Sequence, residues 1–137
     1  MSKKIAIIGG GNLGSSIALG LLASGFTKPE HVLITKRNIQ TLKSFEEKGV
    51  MVSDNNADAI KFAELIILAV KPFQVDAVLE NLHGQLDPKR HLLVSVVTGV
   101  TIGQLLSKLK EPVPVVRAMP NTAIARSEEH TSELQSH

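Results

Sequence analysis

The residues with the most definite chemistry in this chain are Gly9, Gly11 and Gly14, which stand at the spacing G-x-G-x-x-G inside the stretch KIAIIGGGNLGSSIALGLLASG. Ile5, Ala6, Ile7 and Ile8 before them read as a short buried strand. Leu13, Ile17, Leu21 and Leu22 after them fall at helical spacing. In a strand–turn–helix unit of this kind each glycine has its own task. Gly9 turns the chain out of the strand, Gly11 lets a pyrophosphate approach the backbone, and Gly14 lets helix and strand pack closely. The anion then rests on unpaired N–H groups and on the positive end of the helix dipole, and needs no charged side chain.

A second group follows the next strand, residues 31–35, where Lys36, Arg37 and Asn38 stand in a row. Sites for NAD place an Asp or Glu there, about twenty residues beyond the glycines, to hold the ribose 2′-hydroxyl. Two cations and an amide bind a 2′-phosphate that a carboxylate would repel. NADP(H) is therefore the expected cofactor, with NAD(H) as the alternative. The plainer reading of the same residues is a solvated basic loop. A third group comes from two strand ends, Ala69-Val70-Lys71-Pro72 and Ser95-Val96-Val97-Thr98-Gly99. Ligands of open α/β sheets bind outside the carboxyl ends of the strands, so these loops are expected to flank the ribose and nicotinamide. Lys71 is the one ionisable group among them; it either reaches a ribose hydroxyl or snorkels from the strand end.

The elements that must position these groups alternate along the chain. Asn38 can cap a helix over 39–48 that Gly49 stops. A short strand over 50–52, turn chemistry at 54–56 and a helix over 57–63 follow. Then come a strand over 65–70, apolar on both faces, a helix over 73–82 and a strand over 92–97. Thr101 can cap a helix carrying Ile102, Leu105, Leu106 and Leu109, before a last strand over 113–118. Strands alternating with helices imply right-handed parallel βαβ units. The expected fold is a doubly wound α/β domain of the Rossmann type, with a mainly parallel sheet of about six strands.

Composition narrows the function classes. The chain has 137 residues, 43% of them hydrophobic, enough for one domain built on branched aliphatics. It has no cysteine, so disulfides and thiolate metal sites are excluded. No stretch resembles a secretory leader and no apolar run approaches the about 18 residues of a membrane span, which favours the cytoplasm and no membrane partner. A net charge of +2, without Tyr or Trp to stack on bases, argues against nucleic acid. His31, His83 and His91 are scattered, with no carboxylate at metal-ligand spacing, and read as surface or packing residues. Ser15 and Ser16 lack a nearby base and read as phosphate or backbone partners rather than nucleophiles.

The final stretch, RSEEHTSELQSH at 126–137, is polar throughout and has neither helical nor strand periodicity. It resembles, residue for residue, the frame translation of a widely used sequencing adapter, the alternative being a disordered tail. Residues 1–125 are accordingly expected to form the NAD(P)-binding domain of a gene fragment. Leaving out Arg126, Glu128, Glu129 and Glu133 gives fourteen basic against ten acidic side chains, a charge of +4.

Arg117-Ala118-Met119-Pro120-Asn121-Thr122, taken with the glycine turn, AVKP at 69–72 and the turn at 95–99, resembles pyrroline-5-carboxylate reductase over residues 3–125. In that family R-x-M-P-N-T closes the cofactor domain beside the nicotinamide. By position the resemblance implies cofactor contacts at Ile8, Gly9, Gly10, Gly11, Asn12 and Leu13, at Lys36, and at Asn56. It implies further contacts at Ala69, Val70, Lys71 and Pro72 and at Val96, Val97 and Thr98, with Met119 and Asn121 near the reacting ring. It also implies hydride transfer to the C=N carbon of 1-pyrroline-5-carboxylate, giving L-proline. The family's helical C-terminal domain, which builds most of the substrate pocket and the homo-oligomer contacts, is missing here, so the fragment alone is expected to be inactive. Two alternatives stay open: another NADP-dependent reductase of the Rossmann class, and a non-enzymatic dinucleotide-sensing module.

Overall fold

Short runs of branched aliphatics become the strands. The computed structural model of the chain describes residues 3–109 and 113–118. Its strands are β1 (Ile5–Ile8), β2 (Val32–Thr35), β3 (Met51–Ser53), β4 (Leu65–Leu68), β5 (Leu92–Ser95) and β6 (Val115–Arg117). They form one sheet in the order β3-β2-β1-β4-β5-β6, and every pairing is parallel. The helices are α1 (Asn12–Ala23), α2 (Lys43–Glu47), α3 (Asn56–Phe62), α4 (Val75–Leu82) and α5 (Ile102–Lys108). This strand order puts a topological switch between β1 and β4, where successive crossovers diverge to opposite faces and leave a crevice at the strand ends.

Alternation along the strands splits the core in two. Ile5 and Ile7 of β1, with Val32 and Ile34 of β2, join Ala18 of α1, Leu42 just before α2 and Phe45 of α2 on one face. Ala6 and Ile8 join Ile60 of α3, Val75, Leu79 and Leu82 of α4, and Leu105 of α5 on the other. β1 is thus buried on both sides, the condition under which a parallel strand reads as an unbroken apolar run. Each fully buried Ile or Leu adds about 1.5–3 kcal/mol of transfer free energy.

Several expectations are altered in detail. The helix expected over 73–82 opens with a 3-10 turn, Pro72–Gln74, and the strand expected over 113–118 is confined to Val115–Arg117. The helix expected over 39–48 divides into a 3-10 turn, Ile39–Leu42, and the single α-turn of α2. The Thr41 hydroxyl donates to the Asn38 carbonyl at 2.9 Å, a local bond that competes with helix continuation. The strands expected to run to Val70 and Val97 end at Leu68 and Ser95. Ala69 still donates to the Ile8 carbonyl and Val96 to the Leu68 carbonyl, after which the chain leaves the ladder to form the crevice wall. Met119, Asn121 and the stretch 126–137 lie outside the described residues.

Candidate functional site: a crevice at the switch point

The glycine turn is pinned before it reaches the helix. Gly9 and Gly10 both donate to the carbonyl of Thr35, at 3.1 and 2.8 Å, which ties the end of β1 to the end of β2. Gly9 has φ +108°, and a Cβ there would stand 2.8 Å from the Ala69 carbonyl oxygen. At Gly14 a Cβ would fall onto the carbonyl oxygen of Gly9 and come 3.2 Å from Ile7 Cγ2, so α1 sits against β1 at a distance only glycine permits. A Cβ at Gly11, by contrast, would meet no atom within 4 Å. The close packing at Gly14 therefore aims the start of α1 over open space at Gly11.

That helix start is electrically unoccupied by the protein. No side chain caps it and no acidic residue stands in its first turn. Ser15 is the first residue whose N–H bonds within the helix, to Gly11 at 2.8 Å, so the N–H groups of Asn12, Leu13 and Gly14 have no partner within the helix. The Ser15 hydroxyl donates to the Gly10 carbonyl at 3.1 Å and so stiffens the turn. Free donors, the dipole's positive end and space for a group at Gly11 together fit a pyrophosphate.

Around this point lies a crevice of about 780 Å³. Ile8, Gly9, Gly10, Gly11, Asn12 and Leu13 form its floor. Lys36, Arg37 and Asn56 stand at one end, and Ala69, Val70, Lys71, Pro72, Val96, Val97 and Thr98 at the other. Two other residues named from the sequence do not line it. Gly14 lies beneath the turn, and Asn38 is engaged as a cap, its side-chain oxygen accepting from Gln40 N–H at 3.1 Å.

Four lining residues were not anticipated: Thr35, Asp54, Gln74 and Val78. Thr35 is 2% exposed and donates from its hydroxyl to Asn56 Oδ1 at 2.7 Å, which orients the Asn56 amide. Gln74 accepts from Lys71 N–H at 3.0 Å through its side chain and donates its own N–H to the Lys71 carbonyl, locking the turn at Pro72. The position of Thr35 at a strand end, after three aliphatics and before two cations, is the signal that could have marked it. Among the described residues no group of His, Asp and Glu could hold a metal ion, and no helix is long and apolar enough to cross a membrane.

A family model described as NADP oxidoreductase coenzyme F420-dependent matches residues 4–99, a span that contains every residue lining the crevice. The chain belongs to this family. Its sequence is 41% identical over 133 residues to pyrroline-5-carboxylate reductase 2 of Dictyostelium discoideum, covering 95% of this chain and 44% of that protein. Its structure is similar to a pyrroline-5-carboxylate reductase from Coxiella burnetii, with a TM-score of 0.81 and 35% identity over 88% of this chain and 45% of that one. A Plasmodium falciparum pyrroline carboxylate reductase solved with NADP bound is similar at a TM-score of 0.76 and 25% identity, over 88% and 43% of the two chains. The chain thus spans less than half the length of these relatives and corresponds to their N-terminal, cofactor-binding portion. Its fold is that of pyridine-nucleotide-binding oxidoreductases.

Proposed function

We propose that this chain is the nucleotide-binding part of a pyrroline-5-carboxylate reductase, and that the crevice holds NADP(H) in preference to NAD(H). The observation that carries the reading is the uncapped start of α1, open at Gly11, with two cations at one end of the crevice and two apolar strand-end loops at the other. The pyrophosphate belongs on the N–H groups of Asn12, Leu13 and Gly14, over the backbone of Gly9, Gly10 and Gly11. Lys36 and Arg37 attract a 2′-phosphate, and Arg37 can do so through two parallel N–H donors. Asn56, held by Thr35, presents its amide N–H groups to the ribose.

At the far end, Ala69, Val70, Val96 and Val97 exclude water from the nicotinamide, while Lys71, Pro72 and Thr98 frame it. When bound, the reduced nicotinamide supplies the hydride for a C=N bond. A protonated imine accepts a hydride readily, so the protein's contribution is position and dryness, and no side chain of this chain is assigned as acid or base. Met119 and Asn121 are proposed to lie near the reacting ring. Residues 1–125 make up the nucleotide-binding unit, and 126–137 stand outside it.

Calorimetric titration of the chain with NADPH and with NADH tests the cofactor. Tighter binding of NADPH, lost in Lys36→Ala/Arg37→Ala while NADH binding persists, is the expected result; binding of neither nucleotide by a folded chain overturns the reading. For the substrate, the chain alone is expected to give no turnover of pyrroline-5-carboxylate with NADPH. A gene product extended to the length of the relatives is expected to produce proline, and its failure to do so with NADPH bound removes this substrate.

A further inference from the structure

Residues 53–58 contain five polar side chains, Ser53, Asp54, Asn55, Asn56 and Asp58, and four of them are committed to the turn between β3 and α3. The Ser53 hydroxyl donates to Asp58 Oδ2 at 2.7 Å and accepts from Asn55 N–H at 2.9 Å. Asn55 caps α3 by accepting from Ala57 N–H at 2.9 Å, and Asn56 accepts from the Thr35 hydroxyl. Asp54 has no such task. Among the described residues the ion pairs are Arg90–Glu64 and Lys108–Asp76, and the Asp54 carboxylate makes neither an ion pair nor a hydrogen bond. The turn is complete without it.

The sheet register decides where that free carboxylate stands. Thr35 pairs with Ser53, and Lys36 N–H donates to the Ser53 carbonyl at 3.0 Å. Lys36 and Asp54 are therefore the next residues beyond the pairing, on strands about 4.8 Å apart. Both line the crevice, together with Arg37. The end of the crevice assigned above to the adenosine ribose thus carries two cations and one uncommitted carboxylate, a mixed rather than a purely basic pocket.

We propose that Asp54 is a nucleotide-specificity residue, whose carboxylate accepts a hydrogen bond from the ribose 2′-hydroxyl of NAD(H) and opposes the 2′-phosphate that Lys36 and Arg37 attract. The proposal rests on the nucleotide reading of the crevice. A carboxylate and a hydroxyl make a charge-assisted bond, whereas a carboxylate and a phosphate repel across the same gap. One residue then weakens NADP(H) and strengthens NAD(H), and the chain accepts both with a moderated preference.

The test is binding of ADP-ribose and of ADP-ribose 2′-phosphate, which differ only in the disputed group and carry no nicotinamide, followed by calorimetry. Asp54→Asn keeps the shape and removes the charge. Because Asp54 is exposed and unpartnered, its melting temperature should match that of the unsubstituted chain. The variant should bind ADP-ribose 2′-phosphate about three- to tenfold more tightly and ADP-ribose about threefold more weakly. Asp54→Ala should move the ratio the same way, and Lys36→Ala/Arg37→Ala the opposite way. Equal weakening of both ligands in Asp54→Asn would mean that the carboxylate meets the adenine, and overturns the proposal, as does no change in either. If the unsubstituted chain binds neither ligand, the nucleotide reading itself falls and the proposal with it.

Discussion

Three alanine substitutions along one short stretch should have three different outcomes, because the three glycines they replace have different surroundings. At Gly14 the added methyl falls onto the Gly9 carbonyl oxygen, with the Gly9 carbonyl carbon at 3.0 Å and Ile7 Cγ2 at 3.2 Å. The obstacle is backbone, and that backbone is tied down by the Gly9 and Gly10 bonds to Thr35. It cannot rotate aside as a side chain would, so the first turn of α1 must lift off β1. Overpacking costs about 1–3 kcal/mol, and a backbone obstacle places Gly14→Ala at the upper end, about 3 kcal/mol. For a chain of this length that lowers the melting temperature by roughly 10 °C.

Gly11→Ala meets nothing within 4 Å and has φ −77°, an ordinary value for alanine. Losing glycine at the helix start costs about 0.5–1 kcal/mol, and the stiffer unfolded chain returns about 0.4–1 kcal/mol, so stability should hardly change. Nucleotide affinity should fall at least about tenfold, near 1.4 kcal/mol, because the methyl occupies the approach to the backbone donors. Gly20→Ala, exposed inside α1, serves as the control and should stabilise by about 0.5–1 kcal/mol without touching affinity. Urea unfolding followed by circular dichroism, with NADPH calorimetry on the same samples, separates the three. A Gly14→Ala midpoint equal to that of the unsubstituted chain would refute the packing argument. Unchanged NADPH binding by Gly11→Ala would refute the placement of the pyrophosphate.

Two further predictions concern the opposite end of the sheet. Glu64 accepts from Lys4 N–H at 3.0 Å and pairs with Arg90 at 3.5 Å, and the Lys4 bond, followed by the Arg90 charge, holds its pKa below the ordinary 4.5. The unfolded chain binds the proton more readily, so the carboxylate's stabilisation is present above pH 4.5 and is lost as pH falls through the lower folded value. Glu64→Gln should therefore be less stable at neutral pH, by less than about 1 kcal/mol because the pair is solvent-screened, and should equal the unsubstituted chain in strong acid. Thermal melts across pH check this, and a difference that persists in acid rules out ionisation as its cause. His91 is buried, accepts from Asp87 N–H at Nδ1 (2.8 Å), and so carries its proton on Nε2, where it donates to the Ile60 carbonyl at 3.0 Å. His91→Leu strands the Asp87 N–H and should cost about 1–3 kcal/mol in urea unfolding, with nucleotide affinity unaltered.

What was legible in the sequence depended on how many residues a feature needs to declare itself. The sheet, its parallel sense and the glycine turn rest on repeated types at fixed spacing, and Ile5–Ile8 or Leu65–Leu68 cannot easily be anything but buried strand. Where strands stop was not legible, since Ala69 and Val96 are as apolar as the residues before them and still bond to the neighbouring strand. Thr35 was hidden for the reverse reason, being a polar residue that the pattern had already spent on a strand, although its carbonyl anchors the glycine turn and its hydroxyl orients Asn56. In the row Ser53, Asp54, Asn55, Asn56 the residue types alone say only that the chain turns. Which side chain caps, which is held by Thr35 and which is left over is set by the β2–β3 register, a non-local fact.

The crevice divides its work between backbone and side chains in a way that follows from the strand ends. Gly9, Gly10, Ala69 and Val96 are each fixed by a hydrogen bond to a neighbouring strand within one or two residues of leaving the sheet. The walls and the turn leading to the donors proposed for the pyrophosphate are consequently tied to the sheet before any ligand arrives, so that binding there should order little new structure. In the proposed reading, this backbone meets what all pyridine dinucleotides share. Discrimination between them must then fall on side chains that are not needed to hold the turn, and the β2–β3 end is where such groups collect: Lys36, Arg37 and Asp54 line the crevice without an ion pair, while Asn38, Asn55 and Asp58 beside them are bound into caps and turns. Substitutions at those three positions should redirect nucleotide choice without disturbing the fold, whereas substitutions at Gly9, Gly14 or Thr35 should disturb both together.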